Sequence, residues 1–244
     1  MEKKQTQFPA EEVTLPSKGL LYPKDSPLSK GVIEMKYMTA REEDILTNTN
    51  LISNGTVIDK LLQSLIISKI NYSDLLIGDK NSLLVASRIL GYGKDYTFTH
   101  NGRQETIDLT TLEDKVLDES LYSKGLNEFN FDLPNTDHNI TFKLLTHGDE
   151  IKIQNELKGL KRISKNNSPE ATTRLKYMIL SVDGNSEKKD IRNFVDNFLL
   201  ARDARALREY ISQIQPDIDL TFFPDGGGEP TNIPIGLNFF WPDI

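Results

Sequence analysis

Tyr96–Leu109 reads YTFTHNGRQETIDL, and the fold class turns on how this stretch is understood. Before it, apolar residues recur every three or four positions; inside it they alternate, with Asn101-Gly102 between the two alternating runs. Asn-Gly tolerates positive φ at both positions, as a two-residue turn between right-twisted strands requires. A change of period from about 3.6 to 2 along one chain predicts an α+β fold: a mainly helical body carrying a β-hairpin insert.

Toward the N-terminus the helical period is clear. A helix is expected from about Lys80, with Leu83, Leu84, Ser87 and Leu90 on one face and Gly91 as its end. Before it, Ile58, Leu61, Leu62, Leu65 and Ile66 form an amphipathic stripe. VIEMKYM (Val32 to Met38) alternates as a half-buried strand, and Thr39 with Glu42 has capping-box spacing for a short helix. From Met1 to Lys30, prolines at 9, 16, 23 and 27 each remove a backbone donor, which reads as an extended N-terminal arm. Its apolar residues are too many for a solvated linker. The arm must lie on a surface, either a neighbour's or that of its own domain, where it would form a strand and loops.

Toward the C-terminus EFNFDL and ITFKLL, joined through Pro134 to Asn139, read as a second hairpin, so 94–146 is expected to be a β-rich insert. The segment 147–216 then reads as helical. Thr146 and Asp149 resemble a capping box, Ser168-Pro169-Glu170 places proline at a first helical position, and Ile191, Phe194, Val195 and Phe198 form a buried face. Leu200, Ala204, Leu207, Ile211 and Ile214 make the stripe of the last helix, which stops before Pro216. With the arm at 1–30 and a strand plus helices at 31–93, this leaves 217–244, where DIDLTFF and NIPIGLNFFW flank PDGGGEPT as a C-terminal β-hairpin. Burying the five large residues of its second strand yields about 8–15 kcal/mol gross. Ordering the backbone costs about 10–20 kcal/mol, so the hairpin must dock on the helices, join a larger sheet or find another chain.

The chain has 244 residues, 37% hydrophobic and 27% charged, enough for a substantial core without staples. It has no cysteine, which excludes disulfides, thiolate metal sites and thiol catalysis. A net charge of −7 argues against a broad nucleic-acid surface, and no apolar run is long enough to suggest a signal peptide or membrane span. His100, His138 and His147 lack metal or triad spacing, and Asp217 with Asp219 has no further ligand in view. Neither GYGK nor DGGGEP has the form of a phosphate loop, so no catalytic, metal or cofactor residues and no small-molecule substrate are expected. One alternative places a hydrolase site at His147, Asp149 and Glu150.

LPSKGLLYP, MKYMTAREEDIL, RILGYGKDY, LLTHGDE, LLARDARALREYI and FFWP occur in that order between Leu15 and the C-terminus. Together they resemble the baseplate hub proteins and hub-assembly chaperones of contractile-tailed phages of the T-even type. The resemblance implies a non-enzymatic late protein that contacts other hub or baseplate chains, or a further copy of itself, in the cytoplasm of an infected bacterium. It leaves open whether the protein stays in the virion baseplate. Relatives carry Cys pairs at the place of the Asn101-Gly102 hairpin, suggesting a zinc ribbon; this chain has none, so no metal is carried over. Three groups are expected to bind partners: Leu15, Pro16, Lys18, Gly19 and Tyr22 in the arm; Arg202, Asp203 and Arg205 as paired charges; and Phe239, Phe240 and Trp241 as aromatic anchors.

Overall fold

The computed structural model describes residues 9–163, 169–224 and 229–240, and the architecture is α+β. β1 (Ala10–Thr14) pairs antiparallel with β2 (Val32–Lys36), Ala10 facing Lys36 and Thr14 facing Val32. The chain between them is a series of turns closed at its base by Leu15 N donating to Gly31 O at 2.9 Å. Leu15, Leu21, Tyr22 and Leu28 point inward. Gly19 has φ +75°, and a Cβ there would stand 2.5 Å from the Ser29 carbonyl, so neither handedness nor space admits a side chain. Of the two readings of the leading segment, the strand and loops on its own domain is the one the described residues adopt.

α1 (Ala40–Leu46) starts at the expected capping box, in which Glu42 accepts from both Thr39 N at 3.0 Å and Thr39 Oγ1 at 2.6 Å. α2 (Thr49–Asn54) and α3 (Val57–Leu65) follow, Ile66 lying just past the end of α3. α4 (Ile77–Tyr92) begins before Lys80 and runs through Gly91, which packs against Met38; Gly93, at φ +85°, ends it. A glycine costs a helix about 1 kcal/mol, less than the packing gained by continuing.

β3 (Asp95–His100) and β4 (Arg103–Asp108) form the expected hairpin, with Asn101 and Gly102 at φ 48° and 77°. The rest of the supposed insert belongs to another sheet: β5 (Phe129–Asp132) and β6 (Asn139–Phe142) are joined by β7 (Ile179–Val182) in the order β5-β6-β7. The segment 147–216 is therefore helical with a strand inside it, in the order α5 (His147–Ile163), α6 (Glu170–Met178), β7, α7 (Lys188–Asn197) and α8 (Ala201–Ile214). Pro169 stands at the N-cap of α6, one place before the expected position, and Ser168 lies outside the described residues. Phe198 falls just past α7 and is 60% exposed instead of buried.

The terminal hairpin is short. β8 (Thr221–Phe222) pairs with β9 (Thr231–Asn232), and Ile233 N extends the ladder to Leu220 O at 2.8 Å. Pro234 then supplies no donor, and Leu237–Phe240 turns as a 3₁₀ helix, not the expected strand. Phe239 and Phe240 both enter the core; Arg88 Nε donates to Phe239 O at 2.9 Å, and the Tyr96 ring meets Phe239 edge-on at 4.7 Å.

α4 is the common support. Gly78 in its first turn lies against the backbone that leaves α8, where a Cβ would come within 1.8 Å of Pro216 O. Gly78→Ala is expected to cost about 3 kcal/mol, read as a lowered urea midpoint with an unchanged slope.

Candidate interaction surface

The sequence places three groups of candidate partner-binding residues, and the fold treats them differently. In the leading segment, Leu15, Pro16, Gly19 and Tyr22 are buried within the chain itself, so none of them offers a docking surface in the folded protein. Tyr22 and its neighbour Ser17 close on Asp79, in the first turn of α4. Its carboxylate accepts from Ser17 N at 2.9 Å, Ser17 Oγ at 2.7 Å and Tyr22 OH at 2.5 Å. Tyr22 OH in turn accepts from Leu76 N at 2.9 Å. Burial pushes the Asp79 carboxyl up to about 6, while the donors from Tyr22 and Ser17 pull the other way. Lys18 is the exception in this group: it is exposed and pairs with Glu119 at 2.5 Å, a contact between solvated side chains worth little to stability.

The second group divides. Asp203 faces inward from the first turn of α8 and accepts from Asn135 N at 2.9 Å, Asn135 Nδ2 at 2.7 Å and Thr136 Oγ1 at 2.9 Å. Burial works to raise this carboxyl, but the donors from Asn135 and Thr136 together outweigh it and hold it below its ordinary value. Arg202 and Arg205 face solvent, Arg205 pairing with Glu209 one turn on at 2.7 Å. They adjoin Phe198 and Leu200, which is 48% exposed. The stretch from the end of α7 into α8 thus carries two exposed apolar side chains and two exposed guanidinium groups within eight positions. A second set of exposed apolar residues, Val116, Leu121 and Leu126, lies on the loops between β4 and β5.

In the third group Phe239 and Phe240 are core residues, and Trp241 lies outside the described residues. Where Tyr22, Asp203, Phe239 and Phe240 turn inward, the cause is the same: each finds its complement in its own chain.

His147, Asp149 and Glu150 do not converge. Asp149 completes the cap of α5 with Thr146 and accepts from Lys143 Nζ at 2.5 Å; Glu150 is held by both terminal nitrogens of Arg174 at 2.8 Å. His147 turns to the opposite neighbours, with Lys80 Nζ 3.2 Å from its Nδ1 and Tyr72 edge-on at 4.6 Å. Since a lysine only donates, Nδ1 is the acceptor, and burial with the nearby Lys80 charge lowers the imidazole below its ordinary value. Asp217 accepts from Asn81 at 3.0 Å and Asp219 from Thr221 N at 2.9 Å. Among the described residues, no three His, Asp or Glu side chains are placed to hold a metal ion. No described helix is long and apolar enough to cross a membrane. In comparisons with known proteins, the chain matches no family model, no curated protein and no solved structure.

Sequence patterning does not single out Asp79 as an anchor, and it assigns Asp203 to the surface. Both carried a usable signal: each is an acidic residue on its helix's apolar stripe, Asp79 four before Leu83 and Asp203 four before Leu207. Two outcomes follow. Because the folded Asp79 carboxyl titrates above its ordinary range, its stabilising contribution is complete only well below pH 3.8 and is lost as pH rises through about 6. Wild type is expected to lose about 2 kcal/mol relative to Asp79→Asn between pH 4 and 7 in paired urea titrations. Asp203→Ala, which removes three hydrogen bonds that tie α8 to Asn135 and Thr136, should cost about 1–3 kcal/mol, while Arg202→Ala and Arg205→Ala stay within about 0.5 kcal/mol in the same assay.

Proposed function

We propose that this chain acts by binding alone, as a subunit or assembly chaperone in building the baseplate hub of a contractile-tailed phage, in the cytoplasm of the infected bacterium. The observation that carries this reading is the run of six motifs in family order, from LPSKGLLYP to FFWP, over nearly the whole sequence. The geometry supports a division of labour among them. LPSKGLLYP serves the framework through Asp79, whereas LLARDARALREYI sets Asp203 inside and Arg202 and Arg205 outside, beside Phe198 and Leu200. Exposed aromatic and arginine side chains, here close together in the chain, are the residue types that dominate binding energy between proteins. The contact surface is accordingly the α7–α8 corner, and the partners are other hub or baseplate chains. A second reading makes the protein a permanent part of the virion baseplate, which the same surface would serve.

Co-expression with tagged hub chains is expected to recover a complex, and the triple variant Phe198→Asp, Arg202→Glu, Arg205→Glu should weaken it about tenfold or more with little change in melting temperature. An inert monomer with every hub chain, together with normal tails after deletion, would overturn the proposal. Mass spectrometry of purified virions separates the two readings, since a chaperone is absent there and a structural subunit is present.

A further inference from the structure

A cavity of about 560 Å³ opens between α5, the α6–β7 segment and α7, and none of its lining residues belongs to the Asp79 network. Five basic side chains, Lys143, Lys152, Lys176, Lys188 and Arg192, line it against a single carboxylate, Asp149. This is the reverse of the chain's overall balance of −7. Three of the cations are already committed nearby: Lys143 to Asp149 at 2.5 Å, Lys176 to Asp196 at 2.6 Å, and Arg192 to Glu156 through two bonds of 2.7 Å. The other two are not. Lys152 reaches Asp149 only at 3.7 Å and is 65% exposed, and Lys188 forms no ion pair among the described residues. The wall beside them is apolar, built from Ile179, Leu180, Ile191 and the ring of Tyr177.

We infer that this cavity receives an acidic peptide segment of a partner protein, its carboxylates on Lys152 and Lys188 and an apolar side chain against Ile179, Leu180 and Ile191. The volume is that of a ligand pocket and suits a few residues of chain. Carboxylate is favoured over phosphate because the one guanidinium, the group shaped for bidentate phosphate binding, is spent fork to fork on Glu156. The least committed cations, Lys152 and Lys188, are lysines, which act as point charges. A nucleic acid would extend beyond the cavity onto a surface whose net charge repels it. The inference deepens the assembly reading by giving the partner a chemistry, but its test reads binding directly, whether or not the chain serves a phage tail.

Fluorescence anisotropy of the full chain with a labelled octapeptide of alternating aspartate and valine is the experiment, with the asparagine–valine peptide, a dT20 oligonucleotide and inorganic phosphate as comparisons. The acidic peptide is expected to bind in about 50 mM salt, to weaken as salt rises, and to bind at least about tenfold more weakly to the Lys152→Glu/Lys188→Glu variant. Both lysines are exposed, so that variant keeps its fold, and the asparagine peptide provides the same control with no substitution. No binding of the acidic peptide, equal binding of the asparagine peptide, tighter binding of dT20, displacement by millimolar phosphate, or indifference to the variant would each overturn the inference. If the peptide binds while hub chains fail to co-purify, the phage reading falls and the pocket assignment stands; if hub chains co-purify while the peptide fails to bind, the pocket assignment falls and the phage reading stands.

Discussion

Much of the structure depends on one buried carboxyl. Asp79 lies beneath the turns that follow β1, where a charged group is costly unless donors surround it, and Ser17 and Tyr22 supply those donors. Because Tyr22 also holds the backbone of Leu76, just before α4, the leading segment and the start of α4 are fixed to each other. At the same turn Gly78 admits the chain leaving α8, and near the other end of the helix Arg88 takes the carbonyl of Phe239. One helix therefore gathers the segment after β1, the chain leaving α8 and the turn at Phe239, and the close fit at Gly78 leaves little freedom in how the second of these meets it.

That arrangement explains why residue types associated with interfaces turn out to be internal. Aromatic rings and paired charges are chosen at interfaces because they bury area and fix direction, and a core has the same needs. Phe239 and Phe240 fill space beside Tyr96 and α4; Asp203 ties α8 to the turn at Asn135 and Thr136. What is left facing outward is more modest and more specific: an apolar and basic corner at Phe198–Arg205, and a basic cavity between α5 and α7. Both are positively charged features on an acidic molecule, so attraction to an acidic partner at either is local and sensitive to salt.

Features set by neighbouring residues were legible in the sequence: the Asn101-Gly102 turn, the Thr39–Glu42 and Thr146–Asp149 caps, and the α8 stripe from Ala204 to Ile214 follow from spacings of a few positions, although Leu200, expected in that stripe, caps the helix and is exposed. Features set by distant partners were not. Ile179–Val182 is a strand because β6 lies about forty residues earlier, with Thr141 opposite Ser181, and no local signal names that partner. The final segment alternates like a strand, yet Pro234 interrupts the ladder and Arg88 offers the turning chain a hydrogen bond from 151 positions away. Exposure was legible where it followed from helical phase, as at Arg202 and Arg205. It was misread where a residue of surface type occupies an inward phase, as at Asp203. The basic cavity was invisible because its lysines come from α5, α6, α7 and the end of β6, each unremarkable alone.

Native-state hydrogen exchange tests most directly whether the chain's leading segment is part of the core. The amides of Leu15, bonded to Gly31 O at 2.9 Å, and Ser17, bonded to Asp79 at 2.9 Å, should be protected as strongly as those in the middle of α4 and open only with the whole molecule. Exchange at Leu15 and Ser17 at the rate of an unstructured peptide, with α4 still protected, would contradict this and restore a detachable arm.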